Sequence, residues 1–315
     1  MPGDTDTSND AILYSIIIPT HNSSRYVRRL LDSIPKHYPD LEVIVIDDHS
    51  DPHEFDLLQT YFNEAGFAHG LLEHNTGVNS AGAARNLGIQ HSSGRWLIFA
   101  DSDDIFTPAI SLAMSRYENS EWDTILFPPK ASPNEPDDRF IASLQKLSVE
   151  RRSQELGYIM ASPWSRFIRR DIVLEHGIHF SETMHLNDYL FAVQTFFFSR
   201  SYKLDPMPVY EVSIRPGSLS RRRHTIVDLT ERIAVQVEVA DFLSSRLDTR
   251  LYRKVAPTKG HYLLQALLSY GISGLRTVIR IYRGQRIPLL HAGKARQLIT
   301  RPWDIPGIIR AWRIG

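Results

Sequence analysis

The segment 14-YSIIIPTHN-22 decides the fold. It joins an apolar run to a polar cluster, and the same pattern returns in 41-LEVIVIDDHS-50 and in 96-WLIFADSDD-104. Short unbroken apolar runs predict strands that are buried on both faces of a sheet. Pro19 is expected to stop the first of them, because proline interrupts regular structure. We therefore predict strands at residues 14–18, 41–46 and 96–100.

Helical patterns separate these strands. Apolar residues recur at helical spacing from Val27 to Ile34, and Ser23 or Ser24 is expected to cap that helix. The alternation continues to about residue 127 and predicts an α/β protein whose parallel sheet is covered on both faces. The remaining predicted elements are helices at residues 55–64, 81–91 and 108–117, and strands at residues 67–72 and 124–127.

Three polar clusters follow the predicted strands at the point where each strand ends. They are Thr20-His21-Asn22, Asp47-Asp48-His49-Ser50 and Asp101-Ser102-Asp103-Asp104. In parallel sheets the ligand lies beyond the carboxyl ends of the strands. Strands that are distant in sequence therefore direct polar groups to one crevice, where we expect an active site.

Two of these clusters carry carboxylates that could bind a ligand. Asp101 and Asp103 are two residues apart, so on an extended chain both carboxylates face the same side and suit Mg²⁺ or Mn²⁺ together with substrate phosphates. The alternative is a solvated acidic turn that caps the next helix. An EF-hand is excluded, since Phe106 and Leu112 stand where that loop needs Gly and Glu. For Asp47-Asp48 alone, a turn that ends the strand is the alternative.

Residues 77–88 are rich in glycine and alanine and contain one arginine, Arg85. Small residues permit close approach to a ligand, and Arg85 could bind a phosphate through both guanidinium nitrogens. Tight packing of a helix on the sheet, with Arg85 in a surface ion pair, is the alternative. The segment has neither a Walker loop nor a Gly-x-Gly-x-x-Gly fingerprint.

Taken in order, these motifs resemble glycosyltransferase family 2, enzymes of GT-A fold that use nucleotide-sugar donors. The resemblance is strong over about residues 14–108, where Asn75-Thr76-Gly77 and Ala84-Arg85-Asn86 join the three clusters. It continues in 163-PWSRFIRR-170, 177-GIHF-180, Asn187-Asp188, 209-VY-210 and 215-RPGSLS-220. It implies a Rossmann-like, mixed but mostly parallel sheet with helices on both faces, followed by a helical, basic C-terminal extension.

The resemblance also implies roles for matching positions. Asp103 would hold Mn²⁺ or Mg²⁺, Asp101 would contact the ribose or the metal's water, and Arg85 would contact the diphosphate. Asp188 would be the catalytic base of an inverting displacement, with helix capping as the alternative. The expected donor-binding residues are Pro19, Thr20, His21, Asn22, Asp47, Asp48, Gly77, Arg85, Asp101 and Ser102. Expected acceptor or lid residues are Trp164, Asn187, Ser218, Ser220, Arg221, Arg222 and His224.

Three positions depart from the family pattern. His21 stands where Tyr or Phe is usual beside the base, and His49 stands where Gly is usual. Asn187 replaces the Glu of the family's Glu-Asp pair and cannot act as a base, which leaves Asp188 alone. The donor is expected to be a UDP-sugar, and the acceptor a glycan or lipid-linked oligosaccharide. A nucleotidyltransferase on a similar sheet and a non-catalytic nucleotide-sugar or glycan-binding protein of the same fold are the alternatives.

Composition and charge add expectations about location and partners. The 315 residues are 42% hydrophobic and 23% charged, which excludes disordered and collagen-like classes, and the absence of cysteine excludes disulfides and thiolate metal sites. Residues 1–10 are polar and acidic, unlike a signal peptide, and no apolar window of about 18 residues occurs. We expect a cytoplasmic protein with no nucleic-acid partner.

The formal net charge of zero is the sum of two unlike segments. Residues 1–250 carry 24 Lys and Arg against 35 Asp and Glu, whereas residues 251–315 carry 12 Lys and Arg against a single acid, Asp304. The basic segment predicts peripheral contact with the inner face of an anionic membrane, and packing on the acidic body is the alternative. We divide the chain into a nucleotide-sugar-binding half (1–127), an acceptor-binding half (128–224) and a helical basic region (225–315).

Overall fold

In the computed structural model, which describes residues 12–132, 153–160, 162–213 and 225–291, the N-terminal part alternates strands and helices as predicted. The strands are paired side by side and parallel, with Tyr14 of the first strand opposite Leu41 of the second and Trp96 of the fourth. These elements are β1 Tyr14–Thr20, α1 Ser24–Ser33, β2 Leu41–Asp47, α2 Pro52–Ala65, β3 His69–His74, α3 Ala81–His91 and β4 Trp96–Phe99.

Later strands extend the same sheet. Its order is β3-β2-β1-β4-β8-β6-β9, and β8 is antiparallel to both β4 and β6. A second, small sheet has the order β5-β10-β7. The mixed, mostly parallel sheet confirms the predicted α/β fold class. The remaining elements of this part are β5 Ile105–Phe106, α4 Ala109–Tyr117, β6 Thr124–Leu126, β7 Lys130–Ala131, α5 Ser153–Ile159, β8 Arg166–Arg169, α6 Arg170–Glu175, α7 Tyr189–Phe198, β9 Tyr202–Leu204 and β10 Tyr210–Val212.

Strand β1 continues through Pro19, so the expectation that this proline stops it was wrong. Pro19 lies opposite Ile46 and Thr20 lies opposite Asp47. The other neighbour, β4, pairs with β1 only as far as Ile17, whose carbonyl accepts from Ala100 N at 3.1 Å. Alternate residues of a parallel strand bond to opposite neighbours, so the amide nitrogen of Pro19 faces the side where β4 has already ended. No ladder bond is lost, and the strand carries Thr20 into the site.

Both faces of the sheet are buried. Ile16 and Ile18 of β1 pack on the side covered by α1, α2 and α4, whereas Ile17 packs on the side covered by α3, α6 and α7. Each fully buried isoleucine contributes about 1.5–3 kcal/mol relative to an exposed one. Helix α3 lies close to β1 because Gly88 has no side chain, since a Cβ there would be 2.4 Å from Ile17 Cγ2.

The C-terminal residues that the structure describes, 225–291, are mostly helical, as predicted. Helix α8 (Ile226–Ser244) begins with a capping box between Thr225 and Asp228, and α9 (Thr249–Val255) and α10 (Gly260–Ile281) follow. Gly271 has φ 65° and ψ −158°, which breaks α10 in two. A non-glycine residue rarely adopts that conformation. Within the described ranges, no helix combines the length and apolar character needed to cross a membrane.

Candidate active site

Hydrogen bonds join the carboxyl ends of β1, β2 and β4. The Asp48 amide donates to the Thr20 carbonyl at 2.7 Å, which holds the ends of β1 and β2 together. A chain of hydroxyls then runs from Thr20 to Ser23 (2.7 Å) and from Ser23 to Ser102 (2.8 Å). All three hydroxyl residues are buried. The clusters that follow these strands in the sequence therefore form one site.

The two carboxylates at the end of β2 are buried side by side. Asp47 Oδ2 accepts from the Ser50 amide at 3.2 Å and lies 3.1 Å from His74 Nδ1. Asp47 Oδ1 is buried and has no hydrogen-bond partner among the described residues. Asp48 Oδ1 accepts from Asn75 Nδ2 at 2.7 Å. A buried carboxylate oxygen without a donor is unfavourable unless a ligand supplies one, which makes Asp47 a candidate ligand contact.

Asn75 was not predicted as a site residue. Its side-chain nitrogen bonds both Asp48 and the Val78 carbonyl (2.8 Å), and its oxygen accepts from the Gly77 amide at 3.0 Å. It thereby ties the turn at Gly77 to the end of β2. Its place in the sequence motif Asn75-Thr76-Gly77 was the only signal, and the motif alone did not indicate which atoms it would bond.

The turns beside these carboxylates are held in the left-handed region. Asn22 has φ 45° and His49 has φ 61°. Asn tolerates this conformation, whereas for a residue such as His it costs about 1 kcal/mol. This geometry explains why glycine suits the position of His49 in the family pattern. His21 Nδ1 lies 2.6 Å from the Asp48 carbonyl, so the ring is held at the rim of the site.

Arg85 connects the two halves of the site. It is buried, and its Nη2 donates to Asp101 Oδ1 at 2.6 Å while its Nη1 donates to Asn187 Oδ1 at 2.9 Å. The guanidinium also lies over the Phe180 ring, 5.3 Å from its centroid. The end of β4 and the segment before α7 are therefore fixed to one cation. Asn187 accepts this bond without neutralising Arg85, which a Glu at that position would do.

Asp188 follows Asn187 and immediately precedes α7. It occupies the N-cap position of that helix, as the capping alternative expects, but its side chain makes no capping hydrogen bond. Loss of solvation raises its pKa from 3.8 to about 6; the charge of Arg85 opposes this shift and that of Asp101 adds to it. A carboxylate with a pKa near 6 is largely ionised at neutral pH and can still accept a proton, as a general base must.

A fully buried arginine, Arg166 of β8, lies near Asp188. Its guanidinium donates to the carbonyls of Ala192 (3.2 Å), Gly157 (3.4 Å) and Met160. Burial lowers its pKa to about 10, while the charge of Asp188 favours the protonated form. Arg166 was quoted in the sequence motif but was not predicted as a site residue. Its full burial depends on packing that the motif does not reveal.

Beneath the acidic cluster lies a second set of buried polar groups. The Asp101 amide donates to the Tyr210 hydroxyl at 2.8 Å, and Asp104 Oδ1 accepts from the Ser213 amide at 2.7 Å. Burial, followed by the charges of Asp101 and Asp103, raises the pKa of Asp104 well above its ordinary value. Trp164 stacks on Tyr210 with ring centroids 5.6 Å apart and is buried, so it lies in the wall of the site.

The segment before Asp188 is held by the first turns of α8. The Met184 amide donates to Glu231 Oε1 at 2.7 Å, and His185 Nε2 lies 3.3 Å from Asp228 Oδ1. Hydrogen bonds from Thr225, together with His185, lower the pKa of Asp228 to about 2. Leu186 has φ 53°, a strained value that these contacts help to maintain. The helical C-terminal region therefore supports the segment that carries Asp188.

The remaining predicted residues have mixed outcomes. Asp103 and Asp101 follow β4 with carboxylate oxygens suited to Mg²⁺ or Mn²⁺, but within the described ranges no group of three or more His, Asp or Glu side chains is arranged to hold a metal ion. Ser218, Ser220, Arg221, Arg222 and His224 lie outside the described residues. Their assignment to the acceptor site or a lid stays a prediction.

Sequence comparison identifies the family. The family model for Glycosyl transferase family 2 matches residues 15–177, more than half of the chain. EpsH of Bacillus subtilis, a protein named as a glycosyltransferase, is 25% identical over 254 residues, which cover 78% of this chain and 73% of EpsH. The poly(ribitol-phosphate) beta-N-acetylglucosaminyltransferase TarS of Staphylococcus aureus is 35% identical over 94 residues, which cover 29% of this chain and only 16% of TarS.

Solved structures show the same fold. The S. aureus TarS 1-349 complex with UDP-GlcNAc has a TM-score of 0.57 at 19% identity, covering 87% of this chain and 92% of that one. The mannosyltransferase PcManGT from Pyrobaculum calidifontis, in complex with GDP-Man and Mn²⁺, has a TM-score of 0.59 at 15% identity, covering 95% and 84%. Fold, site and family model agree: the chain belongs to glycosyl transferase family 2 and is a glycosyltransferase of GT-A fold.

Proposed function

We propose that this glycosyltransferase transfers a sugar, with inversion, from a UDP-sugar to a hydroxyl group of a glycan or lipid-linked oligosaccharide. The observation that carries the proposal is the bridge made by Arg85 between Asp101 and Asn187. It sets a phosphate-binding cation and an acidic metal-binding turn beside Asp188, the residue next to Asn187. Residues 1–127 would bind the donor and residues 128–224 the acceptor.

The end of β2 would bind the nucleoside. Asp47 Oδ1 is a buried acceptor without a donor among the described residues, and the imide N–H of uracil supplies such a donor. Thr20 at the end of β1, and His21 and Gly77 on the turns beside it, are joined to this site through Asp48 and Asn75. The TarS structures with UDP-GlcNAc and UDP support a uridine donor, although the GDP-Man complex of PcManGT shows that the fold also accepts guanosine.

The acidic turn after β4 would hold the divalent cation. One or two carboxylates plus substrate phosphates are a typical Mg²⁺ or Mn²⁺ ligand set, so Asp103 with Asp101 is sufficient on the protein side. When bound, the cation would neutralise charge that develops on the departing diphosphate. Arg85 would stabilise the same charge through its guanidinium. The hydrogen bond from Arg85 to Asp101 holds the guanidinium next to the acidic turn.

Asp188 would act as the general base. The acceptor oxygen forms a bond to the anomeric carbon while the bond from that carbon to the phosphate oxygen breaks, and the hydroxyl proton passes to the Asp188 carboxylate. The electron pair of the broken bond leaves with UDP. A single displacement of this kind inverts the anomeric carbon, because the acceptor attacks opposite the leaving group. Removing a general base typically slows a reaction by about 10²–10⁴-fold.

The test separates an enzyme from a binding protein. UDP binding is measured by calorimetry with and without Mn²⁺, and a panel of nucleotide sugars is screened for metal-dependent turnover. Asp188→Asn is expected to lose turnover while its affinity for UDP stays within about twofold, and Asp171→Asn on α6 is the matched control. Binding without any turnover would support the non-catalytic alternative, transfer of a nucleotide would support the nucleotidyltransferase, and retained transfer in Asp188→Asn would exclude this base.

A further inference from the structure

The sequence of the C-terminal helices α9 and α10 contains basic side chains and no acidic ones. No Asp or Glu occurs between Asp248 and Asp304, although that stretch contains Lys and Arg throughout. Within the described residues, α9 and α10 belong to it. A segment with several cations and no acid attracts an anionic partner and repels a second copy of itself.

Helix α10 presents apolar and basic side chains on the same exposed face. Beyond Gly271, the spacing i, i+4, i+7 places Ile272, Arg276 and Ile279 in one row of α10, and Arg283, in the turn after the helix ends at Ile281, extends that row. The isoleucines are 66% and 47% exposed, and both arginines are exposed. We call this row the α10 stripe.

Among the described residues, the opposite face of α10 makes the contacts with α8. Gly274, Val278 and Tyr282 are buried. Val278 and Tyr282 pack in one cluster with Leu229 and Ile233 of α8. The helix is thus already anchored by its other side, and the stripe contributes nothing to this core. Exposed isoleucines at regular spacing, rather than scattered singly, mark an interaction surface.

Neighbouring residues enlarge the surface. Leu267 and Leu268, before the break at Gly271, are 41% and 46% exposed. Within the described part of the chain, Arg276, Arg280, Arg283 and Arg286 have no carboxylate at ion-pair distance. Lys254 of the same basic segment does pair with Glu155, at 2.5 Å, so pairing with the acidic body holds for α9 but is not seen for these four arginines.

We propose that the α10 stripe lies on the surface of an anionic lipid bilayer. A helix that combines exposed isoleucines with arginines suits the interface, where the apolar side chains enter the acyl boundary and the guanidiniums meet lipid phosphates. A nucleic acid would satisfy the arginines but leave the isoleucines in water. The inference stands apart from the catalytic proposal, since it concerns where the protein lies and not which bond it makes.

This surface would place the enzyme beside a lipid-linked acceptor. Helix α10 packs on α8, and the first turns of α8 hold Met184 and His185 next to Asp188. A chain that rests on the membrane through α10 would therefore hold its catalytic segment within one helical layer of that contact. An acceptor anchored in the same membrane would reach the site without diffusing through solution.

The test is co-sedimentation of the full chain with vesicles of phosphatidylcholine alone or with added phosphatidylglycerol. The wild type is expected to bind only the anionic vesicles and to be released by salt. Arg276→Ser with Arg283→Ser is expected to weaken binding about 25-fold, at about fivefold for each cation. Ile272→Ser with Ile279→Ser is expected to weaken it about tenfold or more, because the acyl contact is lost.

Controls separate loss of the surface from loss of the fold. Leu112→Ser with Leu174→Ser removes two exposed leucines on α4 and α6 and is expected to bind vesicles as the wild type does. UDP affinity and melting temperature are measured for each variant. If the isoleucine double variant does not fold, the arginine double variant alone tests the proposal. Unchanged binding in a folded stripe variant, equal binding to neutral vesicles, or binding to RNA but not to vesicles would each overturn the proposal.

Discussion

Replacing Asp188 with Asn is expected to stabilise the protein while abolishing transfer. Loss of solvation raises the pKa of Asp188 from 3.8 to about 6, which means that the folded protein disfavours the ionised form. Above pH 6 the carboxylate is ionised in both the folded and the unfolded chain, so the folded state carries the full penalty. Below pH 3.8 it is protonated in both states and the penalty is absent.

The size of the expected stabilisation follows from the pKa shift of Asp188. At about 1.4 kcal/mol per unit, a pKa raised from 3.8 to about 6 corresponds to about 3 kcal/mol above pH 6. Solvent reaches this side chain, and screening reduces the expected gain to about 1–3 kcal/mol. For a protein of this size that is a rise of about 2–6 °C in melting temperature. At pH 5 the gain is expected to be about half as large, because the folded carboxyl is then mostly protonated.

The assay is thermal unfolding of wild type and Asp188→Asn at pH 7.5 and at pH 5, paired with donor turnover. Asp56→Asn, on the exposed face of α2, removes a carboxylate without a burial penalty and is expected to leave the melting temperature unchanged. A lower or equal melting temperature for Asp188→Asn at pH 7.5 would refute the desolvation argument. If the gain in melting temperature is as large at pH 5 as at pH 7.5, it does not come from the ionisation of Asp188.

Three further predictions concern the site. kcat/KM is expected to fall about tenfold from pH 7 to pH 5, as a base with a pKa of about 6 becomes protonated, and a flat profile would count against Asp188 as the base. Asp103→Ala is expected to lower UDP affinity at least about tenfold in Mn²⁺ but not in EDTA, and calorimetry that shows equal losses in both would contradict the metal assignment. Gly82→Ala is expected to impair turnover more than stability, because its Cβ would lie 2.1 Å from the Ser181 carbonyl and 3.1 Å from Asn187 Cβ. Turnover equal to wild type would show that the segment before Asp188 tolerates displacement.

Local patterns were sufficient to predict the N-terminal part of the fold, from β1 to β4. Residues 96–100 are an unbroken apolar run, residues 41–46 are apolar except for Glu42, and the helices between them have clear spacing, so each element could be recognised from its own window. Strand β8 is different, because it pairs antiparallel between β4 and β6, far from either in sequence. The second sheet consists of strands of two or three residues, which are too short to show a periodic pattern in the sequence.

The residues of the site were easier to predict than their bonds. Strand ends indicated Asp47 and Asp101 correctly as members of one cluster, since topology alone brings parallel strand ends together. That Arg85 would bond both Asp101 and Asn187 could not be predicted, because the contact spans 102 residues along the chain. Asp104 and Tyr210 both stand in motifs quoted from the sequence, but their contacts could not be predicted, since their burial depends on the packing of β10 against β5.

The contacts of Glu231 and Asp228 have a consequence for folding cooperativity. The family match ends at residue 177, yet the segment that carries Asp188 lies beyond it and is tied to α8. Local opening of α8 would release the Met184 amide and His185 together, so the segment before Asp188 and the helical layer are expected to exchange amide hydrogens as one unit. A shortened protein that ends before α8 would lack the contacts that hold Met184 and His185 next to Asp188.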